Sequence, residues 1–335
     1  MPFGRIQPPG LVYTIDLSKI AGRTDERTVE APLAGKPQEK TVIDWGDGTV
    51  ETLEATAQTW PTHAYANDAG NKFTVVLRSA TGSLPHILFS TGASSPYNLT
   101  YAVTSIDWFK GKMPTDTRTN CCHSAANLKY CDPRLPGNWN NSGCSGFFQN
   151  SAIEQALDSF CFEFTTSTTF YNNIFRNAVN VYGRPPKFQP GTRQLTATFS
   201  GCTGLTSIPA GLFDHTTAVT SFQETFRGTG AFEIPADLFK YNTAVTNVYY
   251  CFGRHTVNDP NAASKTGGIP AGLFANCPLI TNCAYCFFNN EALDPPPYEF
   301  WTNNSAITSS TSCYSGCSTA MRALVPSDYG GTLSV

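Results

Sequence analysis

The sequence predicts a mainly β chain in two parts, a β-sandwich over residues 1–110 and a stack of short repeats, a solenoid, over residues 111–335. Three observations lead there. Charged residues make up only 14% of the 335, against about 25% in an ordinary soluble domain, and neutral residues that include 27 Gly and 23 Pro fill the difference. Segments with strand alternation occupy the first third. The hexapeptide IPAGLF recurs in the rest.

A hydrophobic share of 41% allows real cores, and the length suits two domains of about 100 to 200 residues each. The net charge is −3, and the 22 Lys and Arg never gather into a dense run. The electrostatic footprint of a nucleic-acid binder or a polybasic membrane anchor is therefore missing. No stretch approaches the roughly 20 consecutive apolar residues that span a bilayer. The first residues, MPFGRIQPPGLVYTIDLSKI, place prolines and charges where a secretory leader has its apolar block. The expectation is a soluble chain with no nucleic-acid partner and no membrane insertion, not exported by the general route.

In the first third, residues 11–17 (LVYTIDL), 41–45 (TVIDW) and 73–77 (FTVVL) have strand period and strand-favouring side chains, separated by Gly, Pro, Asn and Asp. Between them, Asp47-Gly48 within WGDGT signals a hairpin whose two central residues need positive φ. Asp44 and Asp47 are conceivable calcium ligands, but the favoured role is local: Asp47 closes the turn, and Asp44 and His63 hydrogen-bond nearby. The order WGDG, then His63-Ala64-Tyr65, then Gly70, then Phe73 and Val75 resembles the polycystic kidney disease (PKD) domain. The resemblance covers about residues 40 to 80 and implies an immunoglobulin-like sandwich used as a spacer or adhesion module. The strands before Val42 are longer than a minimal domain of that family needs.

The remainder repeats. IPAGLF at 208–213, IPADLF at 234–239 and IPAGLF at 269–274 are spaced 26 and 35 residues apart, the longer step holding an insertion at 254–268. Ala218, Ala244, Leu279 and Ala306 open a second register. Aromatics form a third: Phe148, Phe175, Phe199, Phe226, Phe252, Phe287 and Tyr314, with His123 marking a degenerate first unit. Each unit reads as one turn of the solenoid, with Leu205 and Ile208 pointing inward from a short strand that Pro209 ends, and with Phe213 and Phe226 filling the middle. About eight turns at roughly 4.8 Å each would span about 40 Å. The fullest unit, LTATFSGCTGLTSIPAGLF at 195–213, resembles the BspA-like leucine-rich repeat. That resemblance covers about residues 120 to 328.

All 12 cysteines lie from Cys121 onward, which puts a domain boundary between residues 105 and 120. Cys122, Cys251, Cys286 and Cys313 precede the repeat aromatic or its equivalent, where Thr198 and Thr225 stand in other units; Cys202 and Cys317 lie three residues after it. A ladder of small buried thiols accounts for this pattern. Two other readings are open: a disulfide between neighbouring turns such as Cys286 with Cys313, and a zinc site from Cys283, Cys286, Cys313 and Cys317. The ladder is preferred, with no metal and no cofactor.

Five histidines, His63, His86, His123, His215 and His255, are scattered and sit in no catalytic motif. Glu224 and Glu233 could serve as the paired carboxylates of a glycan hydrolase, but exposed acids on a repeat surface are more often solvated. The expectation is a non-enzymatic protein. Candidate binding residues on exposed turn positions are Asn180, Tyr182, Thr206, Ser207, Phe232 and Glu233, with Tyr249 and Tyr250 as further aromatics of which at least one faces the core. A PKD-like module joined to BspA-like repeats without a leader resembles bacteriophage virion accessory proteins. The resemblance implies decoration of capsid, neck or tail, with other virion proteins and a host cell-surface glycan or protein as partners, and it admits a homo-oligomer. The alternatives are a bacterial cell-surface adhesin and a virion-associated glycan-degrading enzyme.

Overall fold

A computed structural model describes residues 10–20, 27–33, 39–55, 61–80, 84, 87–89, 98–110, 120–134, 145–160, 170–230, 232–254 and 264–333. Within them the chain is mainly β, and its helices are single turns. Strand β1 (Gly10–Asp16) is central to the first part. The other members of its sheet are β3 (Thr41–Asp44), β4 (Val50–Leu53), β6 (Lys72–Ser79), β7 (Val103–Lys110) and β8 (Tyr130–Cys131), in the order β4-β3-β6-β1-β7-β8. All neighbours are antiparallel except β7 and β8. A separate antiparallel pair is formed by β2 (Thr28–Glu30) and β5 (Thr62–Ala64).

Period-2 alternation places Leu11, Tyr13 and Ile15 of β1, and Phe73, Val75 and Leu77 of β6, on the buried face. Aromatic stacking joins the two sheets. His63 of β5 lies on the Trp45 ring at 5.0 Å, and Tyr65 lies on Phe73 at 4.0 Å. The Tyr65 hydroxyl donates to the Trp45 carbonyl at 3.0 Å, satisfying a buried acceptor.

The β3–β4 hairpin forms where WGDGT predicts it, but its turn differs from the expected two-residue type. The left-handed residues are Gly46 (φ 84°) and Gly48 (φ 95°), and the Trp45 N–H donates to the Thr49 carbonyl at 3.0 Å, closing a five-residue loop. Asp47 between them is not left-handed, and its carboxylate accepts the Thr49 N–H at 3.0 Å, an Asx turn. A Cβ on Gly46 would sit 2.5 Å from the Thr74 carbonyl of β6. Gly46→Ala is therefore expected to lower stability by about 1 to 3 kcal/mol, from left-handed strain and the forced separation of β3 from β6. An unchanged urea midpoint would refute this close approach.

From Asn120 onward the backbone repeats a turn-based pattern. Left-handed residues occur in pairs four apart: Asn120 and Ser124, Gly146 and Asn150, Asn173 and Asn177, Ala197 and Gly201, Glu224 and Gly228, Tyr285 and Asn289, Ser312 and Gly316. Tyr250 marks a further unit, giving eight among the described residues. The twist lets alternate peptides do different work. The N–H groups of Thr198, Ser200 and Cys202 close local turns onto Leu195, Ala197 and Phe199, whereas those of Ala197, Phe199 and Gly201 cross to Gln223, Thr225 and Arg227 of the next unit. The same crossing recurs from unit to unit, for example Phe175 to Thr198, Phe226 to Cys251 and Phe287 to Cys313. Single-residue parallel bridges, Gln194 to Ser221, Asn247, Asn282 and Ser309 in succession, run beside it. Buried backbone polar groups are thus paired without long strands.

The aromatic register lies inside this frame. Rings Phe148, Phe175, Phe199, Phe226, Phe252, Phe287 and Tyr314 stack successively at 5.2 to 5.9 Å, all buried. Leu205, Ile208 and Phe213 are buried as expected, but residues 205–208 form no strand. The Leu205 N–H is spent on Cys202 in a local turn, and Pro209 has no N–H to give. The first unit is also corrected. Cys122, not His123, holds the aromatic position: its N–H crosses to Phe147, while that of His123 turns back to Asn120. Both ends of the ladder are covered. Phe89 donates to the Cys121 carbonyl at 2.7 Å, and Tyr314 donates to Tyr329 at 2.9 Å, as terminal turns require.

Candidate functional site

At spacings of 26 and 35 residues, Ser207, Glu233 and Gly268 stand on successive units just before the inward Ile208, Ile234 and Ile269. A second set of parallel pairings joins them, Glu233 with Thr266 and β9 (Gly267–Gly268) with β10 (Leu293–Asp294). The result is an open trough of about 620 Å³. Four of the six candidate residues, Thr206, Ser207, Phe232 and Glu233, line it. Asn180 and Tyr182 lie upstream, both exposed, with Tyr182 paired to Ala156 by a parallel bridge.

Thr206, Ser207 and Glu233 are exposed as expected, whereas Phe232 is only 5% exposed. It packs edge-on against Phe226 at 5.9 Å, and the Lys265 amine covers its face at 4.6 Å. Two-residue alternation from the inward Ile234 carries Phe232 inward as well, a signal present in the sequence. Tyr249 and Tyr250 depart from expectation in the other direction. Both stay on the outer side, because Val248 and Cys251 take the inward positions and Tyr250 occupies the left-handed site. Tyr250 stacks on Tyr285 at 5.0 Å with the Arg227 guanidinium 4.5 Å from its ring.

The acidic candidates are divided. Glu224 is paired with Arg227 at 2.7 Å and lines no part of the trough that holds Glu233. Asp44 accepts the Gly46 N–H, and Asp47 accepts from Thr49 and meets the His63 ring nitrogen at 2.7 Å. Partial burial raises the Asp47 carboxyl, but the bonds from His63 and Thr49 outweigh it and hold the group below its usual range. His123 pairs with Ser124 at 2.8 Å; His86 and His255 lie outside the described residues.

The ten described cysteines are buried free thiols; Cys144 and Cys161 lie outside the described residues. Burial pushes the thiols of Cys122, Cys251, Cys286 and Cys313 well up, and that of Cys317 to about 12, so they are protonated packing groups. They also donate. Cys202 Sγ reaches the Phe175 carbonyl at 2.8 Å, and Cys317 Sγ reaches Phe287 at 3.2 Å. Thr198 and Thr225 play the matching part before the aromatic, donating to Tyr171 and Leu195. Because His123 is not the aromatic equivalent, Cys121 is the true counterpart of these threonines, and it donates to Ile87 at 3.3 Å. Cys121, Thr198 and Thr225 share a small donor at this position, whereas buried Phe147 and Ile174 fill it in the two units between. Among the described residues no three His, Cys, Asp or Glu side chains are placed to hold a metal.

No helix among the described residues is long and apolar enough to cross a membrane. No family model matches the chain, and no curated protein matches it in sequence.

Proposed function

We propose that the chain is a non-enzymatic bacteriophage virion accessory protein. In this reading residues 1–110 are a PKD-like, immunoglobulin-like sandwich that anchors to capsid, neck or tail. Residues 111–335 are a leucine-rich solenoid that presents its outer face to the host surface or to neighbouring virion proteins. The observation that carries the proposal is the eight-unit backbone ladder with covered ends, which fixes exposed side chains such as Thr206, Ser207 and Glu233 along a continuous face. A repeat stack of this kind suits recognition over an extended surface, since each unit adds area without needing its own core.

Cryo-electron microscopy of the particle fraction tests it. Symmetry-ordered copies held to the particle through one part of the chain are expected; a chain attached to no particle would overturn the assignment. Release of oligosaccharide from host polysaccharide by the purified protein, abolished by Glu233→Gln, would overturn its non-enzymatic character.

A further inference from the structure

A second depression lies upstream of the trough, where three consecutive units meet. It is a cleft of about 420 Å³ lined by residues 158, 160, 184–188, 209–212 and 215. Asp158 and Arg184 stand one 26-residue period apart on adjacent units, and both line the cleft. Lys187 and His215 complete its polar lining. All four are exposed, and among the described residues none of them carries an ion pair or a side-chain hydrogen bond.

Between them the wall is apolar and stiff. Pro186 and Phe188 are buried, Pro209 is half-buried, and proline rings give flat surfaces without rotamer freedom to lose. Such a floor accepts the C–H face of a saturated ring. The polar groups select what the ring must carry. Arg184 and Lys187 are two unspent cations suited to a carboxylate, Arg by a planar two-pronged contact and Lys as a point charge. Asp158 opposes a bare phosphate or a dense polyanion, but it accepts hydroxyl donors. A ligand with one carboxylate, several hydroxyls and an apolar ring face satisfies every group at once.

We infer that this cleft binds a carboxylated sugar residue of an acidic polysaccharide, a hexuronic or sialic acid, at a chain end or branch. The inference rests on the reading of the repeats as a binding face, but not on the particle to which the protein is attached.

The test uses the full chain in solution, with saturation-transfer NMR and titration against polygalacturonate, polysialic acid, neutral dextran and dextran sulfate. Binding to at least one carboxylated polymer and none to dextran is expected. The double variant Arg184→Ala/Lys187→Ala should weaken it by on the order of tenfold or more, and Asp158→Asn should weaken it while relaxing the discrimination against dextran sulfate. Unchanged melting curves for these surface variants would show that folding is intact. Failure to bind either carboxylated polymer, binding unaffected by the double variant, or tighter binding of the unsubstituted protein to dextran sulfate than to the carboxylated polymers would each overturn the assignment. The cryo-electron microscopy result is independent of all three.

Discussion

Phe226→Ala is expected to cost about 3 to 5 kcal/mol of folding stability and to loosen the units on either side. Phe226 is fully buried between Phe199 and Phe252, each at 5.7 Å, with Phe213 at 6.0 Å. The cost is at the upper end because the hole cannot close. The Phe199 N–H is held by Thr225, and the Phe226 N–H by Cys251, so the backbone ladder fixes the spacing of three units around the missing ring. A cavity that does not collapse keeps its full penalty of lost contacts. Because each unit is supported chiefly by its neighbours, damage should spread along the stack. Urea unfolding gives the loss of stability, and hydrogen exchange at the Phe199 and Phe252 amides gives its reach. Phe226→Leu should recover a large part of the loss by refilling volume. A neutral Phe226→Ala would mean that the ring column is not packed in solution, and an equal cost for Leu and Ala would mean that ring stacking rather than volume holds it.

The column was legible in the sequence because a buried aromatic recurs in every unit after the first, and drift in one register is matched in the others. The first-part strands were legible through Leu11, Tyr13 and Ile15, whose alternation survives folding intact. Strand β7 was not foreseen. Its register against β1 shifts twice, between Val12 and Tyr13 and between Thr14 and Ile15, so Val103, Ile106 and Phe109 are buried at a spacing of three and the strand period is erased. The left-handed pairs were hidden for a different reason. Glycine marks the second member of a pair at Gly201 and Gly316, but Ala197, Glu224 and Tyr285 occupy the first, held there by the inter-unit hydrogen bonds against their own preference. The cleft of Asp158, Arg184, Lys187 and His215 depended on knowing which units are adjacent. The repeat is weakest in sequence before Phe175, so nothing in the residues there marks the period that puts Asp158 and Arg184 in one cleft.

Lys265 should make stability rise with pH between neutrality and about 10, and Lys265→Met should remove that rise. The side chain is 1% exposed, and its amine donates to the carbonyls of Gly230 at 3.1 Å and Thr229 at 3.3 Å over the Phe232 ring. Among the described residues no carboxylate pairs with it. Burial pushes the amine down to about 7, with Arg254 adding to the effect and Cys251 opposing it. An unfolded lysine titrates near 10.4, so between these values the unfolded chain holds a proton that the folded chain has released. Stability contributed by this group is therefore lowest below pH about 7, where both states are charged, and is recovered as pH climbs to the unfolded value. The full span is about 4 to 5 kcal/mol, at roughly 1.4 kcal/mol per pH unit. Removing the amine also strands two buried carbonyls, which costs about 1 to 3 kcal/mol each, so the two proteins are expected to be closer in stability near neutrality than at high pH. The deciding quantity is the difference between their urea stabilities from pH 6 to 10.5, in which the titrations of the shared Tyr and Cys side chains cancel. A difference that grows in favour of the wild type as pH rises supports a neutral buried amine. Parallel profiles would show that water reaches Lys265.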